Sequence, residues 1–203
     1  ATVGCHPTSA GELDDGLAEE IARLGRHEKV RAIGETGIDY YRDTASPAEQ
    51  RRAFEAQVEI ARDLGLPVVI HARDPEGETT ASDEVFEILD ARADGVPVVL
   101  HCFLAPWRVE DAIERGWHCS FSGIVTFPAA EELREAAAKL PDELLLVETD
   151  APYLTPHPHR GRANAPYLLP LTVRSMAATL NTSVPELCRA LSDNSERVYG
   201  SWS

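Results

Sequence analysis

Two short stretches decide the fold: Pro67-Val-Val-Ile-His71 and Pro97-Val-Val-Leu-His101. Each is a four-residue run with no charge, ending on a histidine. A run this short, rich in Val, Ile and Leu and without polar alternation, reads as a strand buried on both faces, as in a parallel sheet. Runs of the same kind recur outward in both directions, at residues 1–4, 30–34, 118–122 and 144–147. Between them, amphipathic stretches read as helices over 10–24, 47–64, 82–92, 106–115 and 129–140, with two more at 167–180 and 183–199 after the last strand. The helix at 47–64 carries a full set of boundary signals, with Ser46 as cap, Pro47 in the first position and Gly65 past the end. Strand–helix alternation implies an α/β fold with a parallel sheet and right-handed crossovers. The strand ends recur at roughly 30-residue intervals, one βα unit each.

Composition narrows the function. The chain has 203 residues, 43% hydrophobic and 26% charged, which suits one globular core and not a disordered segment. No apolar run approaches the ~20 residues of a membrane helix, so no membrane partner is expected. Thirty-four acidic against 19 basic residues leave a net charge of −15, which excludes a protein holding nucleic acid on a broad basic face. An enzyme that grips phosphates locally, through metal ions, stays open. Cys5, Cys102, Cys119 and Cys188 contain no CxxC pair and suit a reducing, cytoplasmic setting. There is no initiator Met and no leader pattern, and a start within a strand suggests a processed, truncated or partly sequenced chain.

The strand ends carry the chemistry. The successive runs lead into His6, Glu35, His71, His101 and the Glu148-Thr149-Asp150 segment. A lone histidine after a strand is more often a hydrogen-bonded structural residue, and a lone acid more often a cap. Together, three histidines and two acidic positions at matching places in successive units point to one mouth, because parallel barrels gather their active sites at the C-terminal strand ends. Imidazole plus carboxylate suits Zn, Mn, Fe, Ni or, more weakly, Mg. Such ions polarise oxygen and make hydroxide available near neutral pH, and a carboxylate beside them serves as base. The chemistry indicated is metal-assisted hydrolysis.

Other residues divide between function and packing. His157-Pro-His159-Arg160-Gly-Arg162 concentrates cations in an acidic chain and reads as a phosphate clamp, to which Arg42 and Arg73 can add. His27 reads as a surface histidine, His118 as a packing one, and Cys102 and Cys119 as small core residues. Trp107 reads as packing on the rim in preference to stacking a base.

Several motifs in order resemble one family. Gly34-Glu-Thr-Gly-Ile-Asp-Tyr-Tyr41, Ile70-His-Ala-Arg73, His101-Cys-Phe103, Phe121-Ser-Gly-Ile-Val-Thr-Phe127 and Glu148-Thr-Asp-Ala-Pro-Tyr-Leu154 resemble the TatD family of metal-dependent deoxyribonucleases, as do the opening Val3-Gly-Cys-His-Pro7 and the closing Asp193-Asn-Ser-Glu-Arg197. The resemblance implies a (β/α)8 TIM barrel of the amidohydrolase type, here truncated to strands 3–8 with C-terminal helices. It implies a single hydrolase domain over 1–203, incomplete at its N-terminus. It also implies one or two divalent ions, Mg, Mn or Zn, on Glu35, His71, His101 and Asp150, with Glu35 bridging and Asp150 as catalytic base. His6, Arg73, His159, Arg160 and Arg162 would contact substrate. The expected activity is cleavage of phosphodiester bonds in DNA or other nucleic acid, from a 3′ end, by a cytoplasmic enzyme that is monomeric when complete. Deacylation of misacylated tRNA and a non-catalytic remnant are the alternatives. Three departures stand out: Leu104-Ala-Pro106 replaces a small-residue turn, Ala165 replaces an acid after Asn164, and the His-x-His of the family's first strand is missing.

Overall fold

The computed structural model describes residues 1–42 and 44–201, which divide into two compact units, Ala1–His101 and Cys102–Ser203. The first unit holds four parallel strands in chain order: β1 (Thr2–Val3), β2 (Ala32–Asp39), β3 (Val68–Arg73) and β4 (Val98–Leu100). Three helices connect them: α1 (Asp15–Gly25), α2 (Pro47–Leu64) and α3 (Thr80–Arg92). This is the α/β architecture that the alternating runs imply.

Local signals explain α2 to the residue. The Ser46 side chain accepts from the Glu49 N–H while Glu49 reaches back to the Ser46 N–H, Pro47 occupies the first turn, and Gly65 closes the helix at φ 64°. Its inner face buries Ala53, Phe54, Val58 and Ala61 at helical spacing. Fully burying a side chain such as Phe54 contributes about 1.5–3 kcal/mol. On the outer face Arg51 pairs with Glu55, Glu84 and Glu87, and Arg92 with Glu55 and Glu59, so a charge network ties α2 to α3. Tyr40 adds a hydroxyl that donates to Glu84.

Several expected boundaries change, among them the helices expected over 106–115 and 167–180, which each begin as a 3-10 turn, at Pro106–Arg108 and Pro166–Leu168. The helix expected over 10–24 is two pieces: a 3-10 helix at Pro7–Glu12, then α1, whose cap is Asp14 accepting from the Leu17 N–H. The second strand does not stop at residue 34 but continues to Asp39, and the third continues to Arg73. Both extensions carry polar residues, which break the apolar run without breaking the ladder. Between Ile33 and Thr36 the register of β2 against β3 shifts, so β2 bulges there.

The second unit holds β5 (His118–Phe121) and β6 (Leu145–Val147), parallel, with Cys119 opposite Leu145 and Phe121 opposite Val147. Around them lie α4 (Val109–Arg115), α5 (Glu131–Lys139), α6 (Leu169–Thr179) and α7 (Val184–Tyr199). Ser183 and Glu186 build a capping box on α7, and the buried Asn194 donates to the carbonyls of Asp142 and Leu145, fastening α7 to the start of β6. Among the described residues, no helix is long and apolar enough to cross a membrane.

Candidate metal centre

Glu35 sits in the β2 bulge, between two glycines whose backbones demand it. Gly34 (φ 144°) lies against Val69 and Gly37 (φ 141°) against the His71 carbonyl, and a Cβ at either would collide with β3 backbone. The close approach brings Glu35 to the histidines. Its Oε1 lies 2.6 Å from His71 Nδ1, 3.4 Å from His101 Nε2 and 3.7 Å from His6 Nε2. One carboxylate oxygen therefore faces three imidazoles, contributed by β3, by the residue directly after β4, and by the turn after β1.

His71 and His6 are held from behind, and His101 is fixed through its backbone. His71 Nε2 lies 3.1 Å from Asp39 Oδ2, and Asp39 is buried at 1% exposure. The backbone of Asp39 is gripped by Gln50 of α2, which accepts from its N–H at 2.7 Å and donates to its carbonyl at 3.1 Å. The Arg42 N–H donates to Asp39 Oδ1. His6 caps the following 3-10 helix: its Nδ1 faces Thr8 Oγ1 at 2.7 Å, leaving Nε2 for Glu35. The peptide before it is fixed by Gln57 of α2, which accepts from the Cys5 N–H and donates to the Cys5 carbonyl and Thr36 Oγ1. His101 continues the ladder, its N–H donating to the Ile70 carbonyl.

The electrostatics agree with the geometry. Burial pushes the Glu35 carboxyl up, but the hydrogen bond from His71 and the nearby His101 outweigh it and hold it below the usual range. Burial pushes His71 down, but Asp39 and Glu35 on its two nitrogens more than compensate and raise it. His6 is lowered, by burial first and by His71 next. The set is thus an ionised carboxylate among imidazoles that satisfy it only by carrying protons, and a cation can take the place of those protons. Donor atoms of His6, Glu35 and His71 lie within 4.8 Å of one another and can hold a metal ion. Imidazole nitrogen and carboxylate oxygen together suit a divalent metal ion.

The remaining candidates belong to the second unit, except Arg73. Asp150 follows β6 in the left-handed region, φ 55°, which Asp tolerates better than most residues, and its carbonyl accepts from the Tyr153 N–H. Asn164, buried, donates to the carbonyls of Thr149 and Tyr153 and so shapes the loop that carries Asp150. Arg160 stacks over the Phe127 ring at 4.4 Å and is exposed, as is Arg162, whose carbonyl accepts from Thr155. The His159 N–H donates to the Pro156 carbonyl. In the first unit, Arg73 lies over the Tyr41 ring at 4.0 Å.

A family model described as TatD related DNase matches residues 1–200. The chain belongs to the TatD-related DNase family. It is 45% identical to the metal-dependent hydrolase TatD of Mycobacterium tuberculosis, covering 98% of this chain and 76% of that protein. It is 37% identical to the 3'-5' ssDNA/RNA exonuclease TatD of Musicola paradisiaca, over 98% of this chain and 76% of that one. The crystal structure of YjjV, a TatD homologue of Escherichia coli, superposes with a TM-score of 0.89 at 26% identity, covering 99% of this chain and 76% of that one. The fold is accordingly that of the TIM-barrel-like TatD proteins, and the chain is a metal-dependent hydrolase.

Within the TatD motif Gly34–Tyr41, sequence reasoning assigned Glu35 and passed over Asp39. No local signal pairs Asp39 with His71, because the bulge around Glu35 interrupts regular strand alternation and the two residues are 32 apart. Gln50 and Gln57 were also missed, though both are polar on the buried face of an amphipathic helix. Trp107, expected to pack on the rim, remains 49% exposed. His118 is buried in β5 and His27 is exposed, as expected.

Proposed function

We propose that this chain hydrolyses phosphodiester bonds of single-stranded nucleic acid, DNA foremost, from the 3′ end, with one or two divalent ions. The observation that carries the reading is the single carboxylate oxygen of Glu35 facing three imidazoles. The family membership and the exonuclease named among the relatives support the substrate class. In this reading Glu35, His71 and His101 hold the metal, and His6, expected from sequence at the substrate phosphate, joins them as a donor because its Nε2 faces the same oxygen. When bound, the ion supplies Lewis acidity and an acidic water. Asp39 keeps His71 oriented. Asp150 takes the proton of the attacking water. Arg73, His159, Arg160 and Arg162 bind phosphates of the strand, which a chain of net charge −15 must do locally. The four free cysteines support a cytoplasmic setting.

The test is digestion of a single strand labelled at either end, with Mg or Mn. A ladder shortening from the 3′ end, abolished by EDTA and by Glu35→Gln, is expected. Hydrolysis of aminoacyl-tRNA esters with no cleavage of either strand would replace this reading by deacylation.

A further inference from the structure

The second unit contains a groove that the metal centre does not account for. Its volume is about 270 Å³, just under the roughly 300–1,000 Å³ of drug-sized ligand sites. Its walls are Leu104, Pro106, Trp107, Ile124, Phe127 and Arg160, with Glu132 also lining it. Resting on the nucleic-acid reading above, we propose that this groove takes a single unstacked nucleobase, stacked on Trp107, with the adjoining phosphate on Arg160.

Three observations support that occupant. First, Trp107 is presented and not buried. It sits in a 3-10 turn, Pro106–Arg108, closed by the Arg108 N–H donating to the Ala105 carbonyl, and keeps 49% of its surface exposed beside an apolar floor. A flat aromatic surface left to water is a stacking platform for a flat π-system, and every base has one. Second, the groove holds a cation suited to phosphate. The Arg160 guanidinium lies over the Phe127 ring at 4.4 Å, so its face is used while its N–H edges project in plane, the geometry that pairs with phosphate oxygens. Third, the charges orient the occupant. Glu132 can only accept hydrogen bonds; it repels phosphate from its wall and receives the exocyclic amino group of adenine, cytosine or guanine. An anionic part therefore goes toward Arg160 and a base edge toward Glu132. The volume is ample for one base.

The test measures binding of the full chain, in EDTA so that nothing is cut, to two fluorescent strands of equal length and charge. One is single-stranded DNA; the other carries abasic tetrahydrofuran residues throughout. Stacking on one aromatic is worth about 1–3 kcal/mol by alanine substitution, so the chain is expected to bind the base-bearing strand at least about tenfold more tightly. Trp107→Ala should bind both strands alike, and Trp107→Phe should restore most of the difference. If Trp107→Ala is unfolded it binds neither strand, and Trp107→Phe with Trp107→Leu then decides: the difference must survive in the first and vanish in the second. Equal binding of the two strands by the unaltered chain, or a difference that persists in Trp107→Ala or Trp107→Leu, overturns the groove and leaves the nuclease reading standing. A chain that neither binds nor cuts any strand overturns that reading and the groove with it.

Discussion

Asp39 holds His71 from the side opposite Glu35. Its Oδ2 lies 3.1 Å from His71 Nε2, while Glu35 Oε1 lies 2.6 Å from His71 Nδ1, so one imidazole is clamped between two carboxylates. Asp39 is itself locked by Gln50, which reads both its N–H and its carbonyl. The orientation of the ring is therefore set by a chain of contacts that starts in the first turn of α2.

Asp39→Asn is expected to leave the fold intact and weaken metal binding. Partners that orient a ligating histidine typically contribute roughly 10–100-fold in affinity or activity. Calorimetric titration of the metal-free protein with Mn or Zn measures this directly. An affinity equal to that of the unaltered chain would remove Asp39 from the site.

The metal-free protein should have a bounded pH window of stability. Glu35 is held below its ordinary value, so its contribution is full above that value and is lost as pH falls through the lowered one. His71 is raised, so its contribution is full below the ordinary histidine value and is lost as pH rises through the raised one. These two contributions are both complete between about pH 4.3 and 6.5. Asp39, also lowered, adds to Glu35 on the acid side, and His6, lowered, loses its contribution as pH falls below the ordinary histidine value. Thermal unfolding of the metal-free protein from about pH 2.5 to 9 should show Tm falling toward both ends. Metal affinity should instead rise with pH, since the ion displaces protons.

Gln57→Leu should destabilise the first unit. It strips the Cys5 N–H and carbonyl of their side-chain partner and leaves Thr36 Oγ1 without its donor, all in a buried setting. An orphaned buried polar group costs about 1–3 kcal/mol, so a loss of at least about 2 kcal/mol is expected in urea unfolding. Activity should fall further than stability explains, because the turn carrying His6 loses its anchor.

Changing Arg160 and Arg162 together to Ala should raise KM for a single strand and flatten its salt dependence, with a smaller effect on kcat. Phosphate contacts position a strand and release counterions; they do not break the bond. A large fall in kcat at unchanged KM would assign these side chains to the transition state instead.

What the sequence determined by itself was local or periodic. The ends of α2 were legible because Ser46, Pro47, Glu49 and Gly65 act on backbone groups within one turn of themselves. The strands at 67–70 and 97–100 were legible because burial on both faces leaves an uninterrupted apolar run, and the histidines after those runs marked the site. Only the tertiary structure decided how those histidines are used. Glu35 reads in sequence as the residue following a strand; in the fold it lies in a bulge of a strand that continues to Asp39, because Gly34 and Gly37 let β2 press against β3 where no side chain fits. Gln57 reads as an ordinary polar helix residue, yet its partner at Cys5 is 52 residues away. Asp39 and His71 are 32 residues apart and meet only across a parallel ladder. Short-range forces write themselves into neighbouring letters. A hydrogen bond between distant residues needs the chain folded before its two ends can be recognised as a pair.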